Sequence, residues 1–157
     1  MQASLLYNKQ KGERGDAILI QIIYGKKGSG KSKRLVDLAN QEVETANGSV
    51  IYLDDDSRVM YSLRHQIRFV DVTQYGIDTE EKLVGFISGM MASNYDISAI
   101  FMDGIRHIIE NNLQNTQKFF QDLKFLLNKS DINMVMIISG DEDHIPPFIE
   151  EYIMPND

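Results

Sequence analysis

The chain has 157 residues, enough for one domain with a core between a sheet and two layers of helices, and cramped for two. Hydrophobic residues make 43%, charged residues 25%, and there is no cysteine, which excludes disulfides, thiolate chemistry and cysteine-based zinc sites. The net charge of −7 argues against broad nonspecific binding to nucleic acid, no apolar run is long enough to span a bilayer, and no segment has the order of a signal peptide, so a cytoplasmic protein without membrane insertion is expected.

Residues 1–17 are polar, mixed in charge and without period, and read as a flexible tail ahead of one domain over 18–157. Ile18 to Tyr24 is then a β-branched, apolar run of strand length. Directly behind it, Gly25-Lys26-Lys27-Gly28-Ser29-Gly30-Lys31-Ser32 matches G-x-x-x-x-G-K-[ST], the phosphate-binding loop pattern. Glycines let the backbone turn its N–H groups inward, Lys31 reaches the β- and γ-phosphates, and the Ser32 hydroxyl ligates Mg²⁺. Leu35, Leu38, Ala39, Val43 and Ala46 follow at helical spacing, with Asn47-Gly48 as the stop, so strand, loop and helix fall where phosphate binding needs them. Lys26, Lys27 and Lys33 add positive charge at the same place.

Ser49 to Leu53 reads as a second buried strand, ending in Asp54-Asp55-Asp56. Asp56 or Ser57 caps a short helix carrying Val59, Met60 and Leu63, and Ile67 to Val72 alternates as a strand. Asp78-Thr79-Glu80-Glu81 signals a helix that buries Leu83, Val84, Phe86, Ile87, Met90 and Met91. Ile97 to Met102 is a strand that ends in Asp103. A helical region follows, with Ile105, Ile108, Ile109 and Leu113 in its first part, a break near Asn115, and Phe119, Phe120, Leu123, Leu126 and Leu127 in its second. Ile132 to Ser139 is the last strong strand, and Pro146-Pro147 opens a short final helix. Strands alternating with helices predict a three-layer α/β/α sandwich on a mainly parallel sheet of about five strands, the fold of P-loop nucleoside triphosphatases, with ligands outside the carboxyl ends of the strands. Loops starting at Gly25, Asp54, Asp103 and Ser139 meet there.

An apolar strand ending in aspartate, downstream of a phosphate loop, is the pattern whose carboxylate holds Mg²⁺, and Asp103 fits it beside Ser32. In ATPases of the additional-strand class a glutamate commonly follows that aspartate and activates the attacking water, whereas Gly104 has no side chain. Asp54, Asp55 and Asp56 are candidates to fill the gap, with Asp54, at the strand end, the first choice as base. The expected catalytic set is therefore Lys31, Asp54 and Asp103. Arg58, Arg64, Arg68 and Arg106 are candidates to reach phosphate, each also a plausible surface residue. His65, His107 and His144 lack metal-ligand spacing. Asn128-Lys129-Ser130-Asp131 matches the guanine-reading N-K-x-D, but it follows a helical pattern where that motif follows a strand, which favours ATP over GTP.

The combination of I-I-Y-G-K-K-G-S-G-K-S-K-R-L at 22–35, V-I-Y-L-D-D-D-S-R at 50–58 and A-I-F-M-D-G-I at 99–105 resembles the small stand-alone P-loop proteins of Gram-positive bacteria that often carry the label of twitching-motility ATPases. The resemblance implies an ATP site at Gly25 to Ser32, an acidic strand end at Asp54 and a magnesium-linked Asp103. It does not carry the label over, since pilus-retraction motors have a further domain and acidic and histidine motifs for which this chain has no room. Three functions follow as expectations: a slow ATPase or nucleotide-dependent switch with a protein partner, a small-molecule or nucleoside kinase using Asp54 as base, or a nonhydrolysing ATP-binding module.

Overall fold

A computed structural model describes residues 20–156, so the expected tail over 1–17 lies outside the described residues. Five strands form one all-parallel sheet: β1 (Ile20–Gly25), β2 (Ser49–Asp54), β3 (Arg68–Asp71), β4 (Ile97–Met102) and β5 (Asn133–Ser139). Their order is β1-β5-β4-β2-β3, so the strand that feeds the glycine-rich loop and the strand that ends at Asp103 are separated by β5. Beyond β1, the chain's last residues supply a parallel bridge: Ile22 N donates to Tyr152 O at 2.7 Å and Met154 N to Ile22 O at 2.8 Å. The sheet edge at β1 is thus partly covered rather than left open.

The inner strands β2, β4 and β5 are mostly apolar and buried because both faces are covered. Helix α1 (Lys31–Thr45) lays Leu35, Val36, Leu38 and Ala39 against Ile23, Val50, Tyr52, Phe101, Val135 and Ile137. On the other face, α2 (Glu80–Ser93) and α3 (Gln117–Leu127) pack Leu83, Ile87, Phe119, Phe120, Leu123 and Leu127 against Ile22, Leu53, Ile100, Met102, Met134 and Met136. Each fully buried leucine or isoleucine contributes about 1.5–3 kcal/mol of transfer free energy. Local signals agree with this placement. Thr79 caps α2 through the Lys82 amide, a contact worth about 1 kcal/mol, and Pro147 opens the short α4 (Pro147–Glu150).

Three expectations change. Gly48 does not end α1 in a left-handed turn, since its φ is not positive and the cap is an extended Ala46. Gly48 is needed because a Cβ would overlap the carbonyl oxygen of Asp96, where the chain enters β4. The first part of the helical region, 105–116, is a set of turns with one 3-10 segment at Glu110–Asn115, broken by a non-helical Asn112. There Ile105 and Ile109 bury themselves without helical continuity. The segment carrying Val59, Met60 and Leu63 is also 3-10 (Ser57–Ser62), and Met60 faces outward. Among the described residues, no helix is long and apolar enough to cross a membrane.

Candidate functional site

The carboxyl ends of β1, β2, β4 and β5 open onto one cleft of about 550 Å³. It is lined on one side by Lys27, Gly28, Gly30, Lys31, Ser32 and Lys33, and on the other by Asp54, Asp55, Asp56, Asp103 and Gly104. The loop between β1 and α1 turns on Gly28 and Gly30, whose φ angles of 77° and 84° lie in the left-handed region that side chains disfavour. Ser29 Oγ donates to Lys26 O at 2.7 Å, and Lys31 Nζ donates to the same carbonyl at 2.5 Å, which closes the loop on itself.

Lys31 is the first residue of α1 and only 8% exposed. The first turn of that helix contains Lys31, Lys33 and Arg34 and no acidic residue, so the positive end of the helix dipole coincides with three cations. The positive end of a helix dipole favours an anion. Lys33 leans away, pairing with Asp37 at 2.9 Å on the exposed helix surface. Lys26 and Lys27 are exposed on the loop.

The two residues expected to share a metal do meet. Ser32 Oγ donates to Asp103 Oδ2 at 2.7 Å, across the junction between α1 and the end of β4. Asp103 Oδ1 accepts from Gly104 N at 2.7 Å, and Asp103 N donates to Leu53 O at 2.9 Å, which fixes the aspartate against β2. Asp54, only 4% exposed, accepts from the amides of Asp55 at 2.7 Å and Asp56 at 3.1 Å. Burial pushes its carboxyl up to about 8, the Asp103 carboxylate and a side-chain hydrogen bond with Asp55 act in the same direction, and the two amides oppose them. Asp56 belongs elsewhere: it caps the 3-10 segment through the Arg58 amide, and hydrogen bonds from Arg58 hold its carboxyl down at about 2.

The arginines separate cleanly. Arg58 is paired with Asp56 at 2.8 Å and Arg64 with Glu44 at 2.7 Å, both on the surface. Arg68 lies on β3, in a groove bordered by the starts of β2 and β4. Arg106 alone of the four lines the cleft, as Ser139 also does. His144 faces Asp141 at 3.2 Å, and no cluster of three or more His, Cys, Asp or Glu able to hold a metal is found among the described residues. Asn128 to Asp131 form the end of α3 and the turn before β5, with Ser130 Oγ donating to Leu127 O, at the sheet edge opposite the cleft.

Sequence reasoning missed Tyr52. It is fully buried between Phe69 and Phe101, and burial together with the nearby Asp103 and Asp54 carboxylates raises its hydroxyl well above the usual phenol range. Strand alternation was the available signal, because Tyr52 and Asp54 lie two apart and therefore share a face. A second opening of about 680 Å³ lies on the other side of the loop, bordered by Tyr24, Lys26, Arg34, Glu142 and Asn156. Compared with known proteins, the chain matches no family model and no curated protein.

Proposed function

We propose that the chain is a P-loop protein that binds ATP·Mg²⁺ along Gly25 to Ser32 and hydrolyses it slowly, as an ATPase module or a nucleotide-dependent switch acting on a protein partner. The observation that carries this reading is the first turn of α1: Lys31, almost wholly buried, stands at the positive end of a helix dipole, behind a loop that turns on Gly28 and Gly30. Lys31 would leave the Lys26 carbonyl for phosphate oxygen, a stronger charge-assisted partner.

The donors fit magnesium. Ser32 Oγ and Asp103 Oδ2 are hard oxygens already 2.7 Å apart, and Mg²⁺ is usually held by one or two such side chains together with phosphate and water. Bound there, the ion would neutralise charge on the β- and γ-phosphates. The placement of Asn128 to Asp131 at the opposite sheet edge supports ATP over GTP. The position of β5 between the loop strand and the Asp103 strand supports the additional-strand arrangement expected for such ATPases. A second reading, a small-molecule or nucleoside kinase, is favoured by one observation: the cleft continues past the acidic strand ends to Val59 and Arg106, leaving room for an acceptor.

The test is ATP binding and phosphate release by the purified protein with Mg²⁺, beside Lys31→Ala. Binding and release that are both lost in the variant are expected. Undiminished affinity in Lys31→Ala would remove the assignment.

A further inference from the structure

Transfer of a phosphoryl group out of this cleft is speeded by a group across from Lys31 that orients the acceptor's hydroxyl, and a carboxylate within hydrogen-bond reach can also accept its proton. The end of β4 cannot supply one through residue 104. Gly104 has a φ of 68°, and a Cβ on it would overlap Asp55 Oδ1 and stand 2.5 Å from Asp54 Oδ1. Two carboxyl groups from the neighbouring strand already occupy the space that a side chain at 104 would enter.

These two acids are not equivalent. Both line the cleft, but Asp54 is buried and anchored by two backbone amides, whereas Asp55 is only half-buried. Resting on the ATP-binding reading above, we infer that Asp55 is the catalytic carboxylate that holds the attacking water, and that Asp54 is the positioning residue beneath it. Asp54, held by the amides of Asp55 and Asp56 and hydrogen-bonded through its side chain to Asp55, fixes the orientation of that carboxyl.

In the step itself, Asp55 accepts a proton of the water as its oxygen bonds to the γ-phosphorus. The bond from the γ-phosphorus to the β,γ-bridging oxygen breaks, and its electron pair stays on the β-phosphate of ADP. The products are ADP and inorganic phosphate, and Asp55 returns its proton to solvent. Lys31 stays within the phosphate side of the cleft, so donor and base act from opposite rims.

The experiment measures ATP affinity and steady-state phosphate release with Mg²⁺ for wild type, Asp55→Asn, Asp55→Ser and Asp54→Asn. Both Asp55 variants are expected to bind ATP as wild type does while release falls about a hundredfold or more, the range of a lost general base. Asp54→Asn is expected to lower kcat about tenfold with KM for ATP near wild type, the pattern of an interaction made only in the transition state. Turnover in the Asp55 variants close to wild type overturns the inference, and so does a wild type that binds ATP and consumes none. A rise in KM with kcat intact overturns the positioning role of Asp54. Absence of ATP binding by wild type overturns the underlying nucleotide reading instead.

Discussion

On one rim of the cleft, Lys31 and Ser32 belong to a run of consecutive residues that turns on Gly28 and Gly30 and closes through the Lys26 carbonyl. On the other, Asp54 and Asp103 are far apart in sequence and meet because β2 and β4 are neighbours in register, Leu53 beside Met102. The basic rim is a local object with open space beside Gly28 and Gly30. The acidic rim is a packed tertiary one, in which Gly104, Asp54 and Asp55 touch. A cluster of the first kind can be altered at little cost to the fold, whereas the second resists change because each member is held by the others.

Lys31→Ala gives the largest expected effect on the basic rim. A charge-assisted bond to phosphate lost from a largely buried site lowers ATP affinity on the order of a hundredfold or more, while far-UV dichroism stays unchanged. Isothermal titration against ATP·Mg²⁺ measures it, and a melting temperature that drops as steeply as the affinity would deny the basic rim its independence from the fold.

The glycines sharpen the contrast. A Cβ at Gly28 meets nothing within 4 Å, so Gly28→Ala bears only the left-handed backbone cost of about 1–2 kcal/mol. Gly104→Ala bears that cost and must also displace two carboxyl groups, for a total of about 2–4 kcal/mol. Urea unfolding of the two variants decides it. Equal losses would mean that the acidic rim yields as readily as the loop.

The same distinction governs what the sequence reveals. The five strands, α2, the loop and the Ser32–Asp103 meeting are legible because each rests on apolar periodicity or on a motif of fixed spacing. Residues 105–116 mislead, since Ile105, Ile108, Ile109 and Leu113 keep helical spacing while the chain buries Ile105 and Ile109 through successive turns. Gly48 and Gly104 look alike as turn glycines. What each requires is room for a distant group, the Asp96 carbonyl or the Asp54 and Asp55 carboxyls, and no local pattern records that.

Asp103→Asn probes the junction of the rims. The amide still fits between Ser32 and Gly104 N, so stability changes by under about 1 kcal/mol, the size of one neutral hydrogen bond. The Mg²⁺-dependent part of ATP affinity is expected to fall about tenfold, as for one lost charge-assisted contact, while the Mg²⁺-independent part persists. Titrations with and without the metal separate the two, and an unchanged metal dependence would make Asp103 a structural turn.

The smallest effect is the most specific to the packed rim. Asp54 has an ordinary value of 3.8 when unfolded and about 8 when folded, so between those limits the folded state binds more protons than the unfolded one. Stability is therefore greatest below the lower value and declines as pH rises toward about 8, the sign expected when a buried carboxyl must ionise. Asp56, Asp78 and Asp141 have the opposite sign, since Arg58, Lys82 and the Asp143 amide hold them below the ordinary range, and their contribution is lost only as pH falls beneath about 4. Glu80 is raised, by partial burial first, but it is common to both proteins in a comparison. In nucleotide-free protein, the fall in unfolding free energy from pH 5 to 8 is thus expected to be shallower in Asp54→Asn than in wild type, by chemical denaturation at each pH. Parallel profiles would show that Asp54 ionises freely in the fold, and the acidic rim would then be as open to solvent as the loop that faces it.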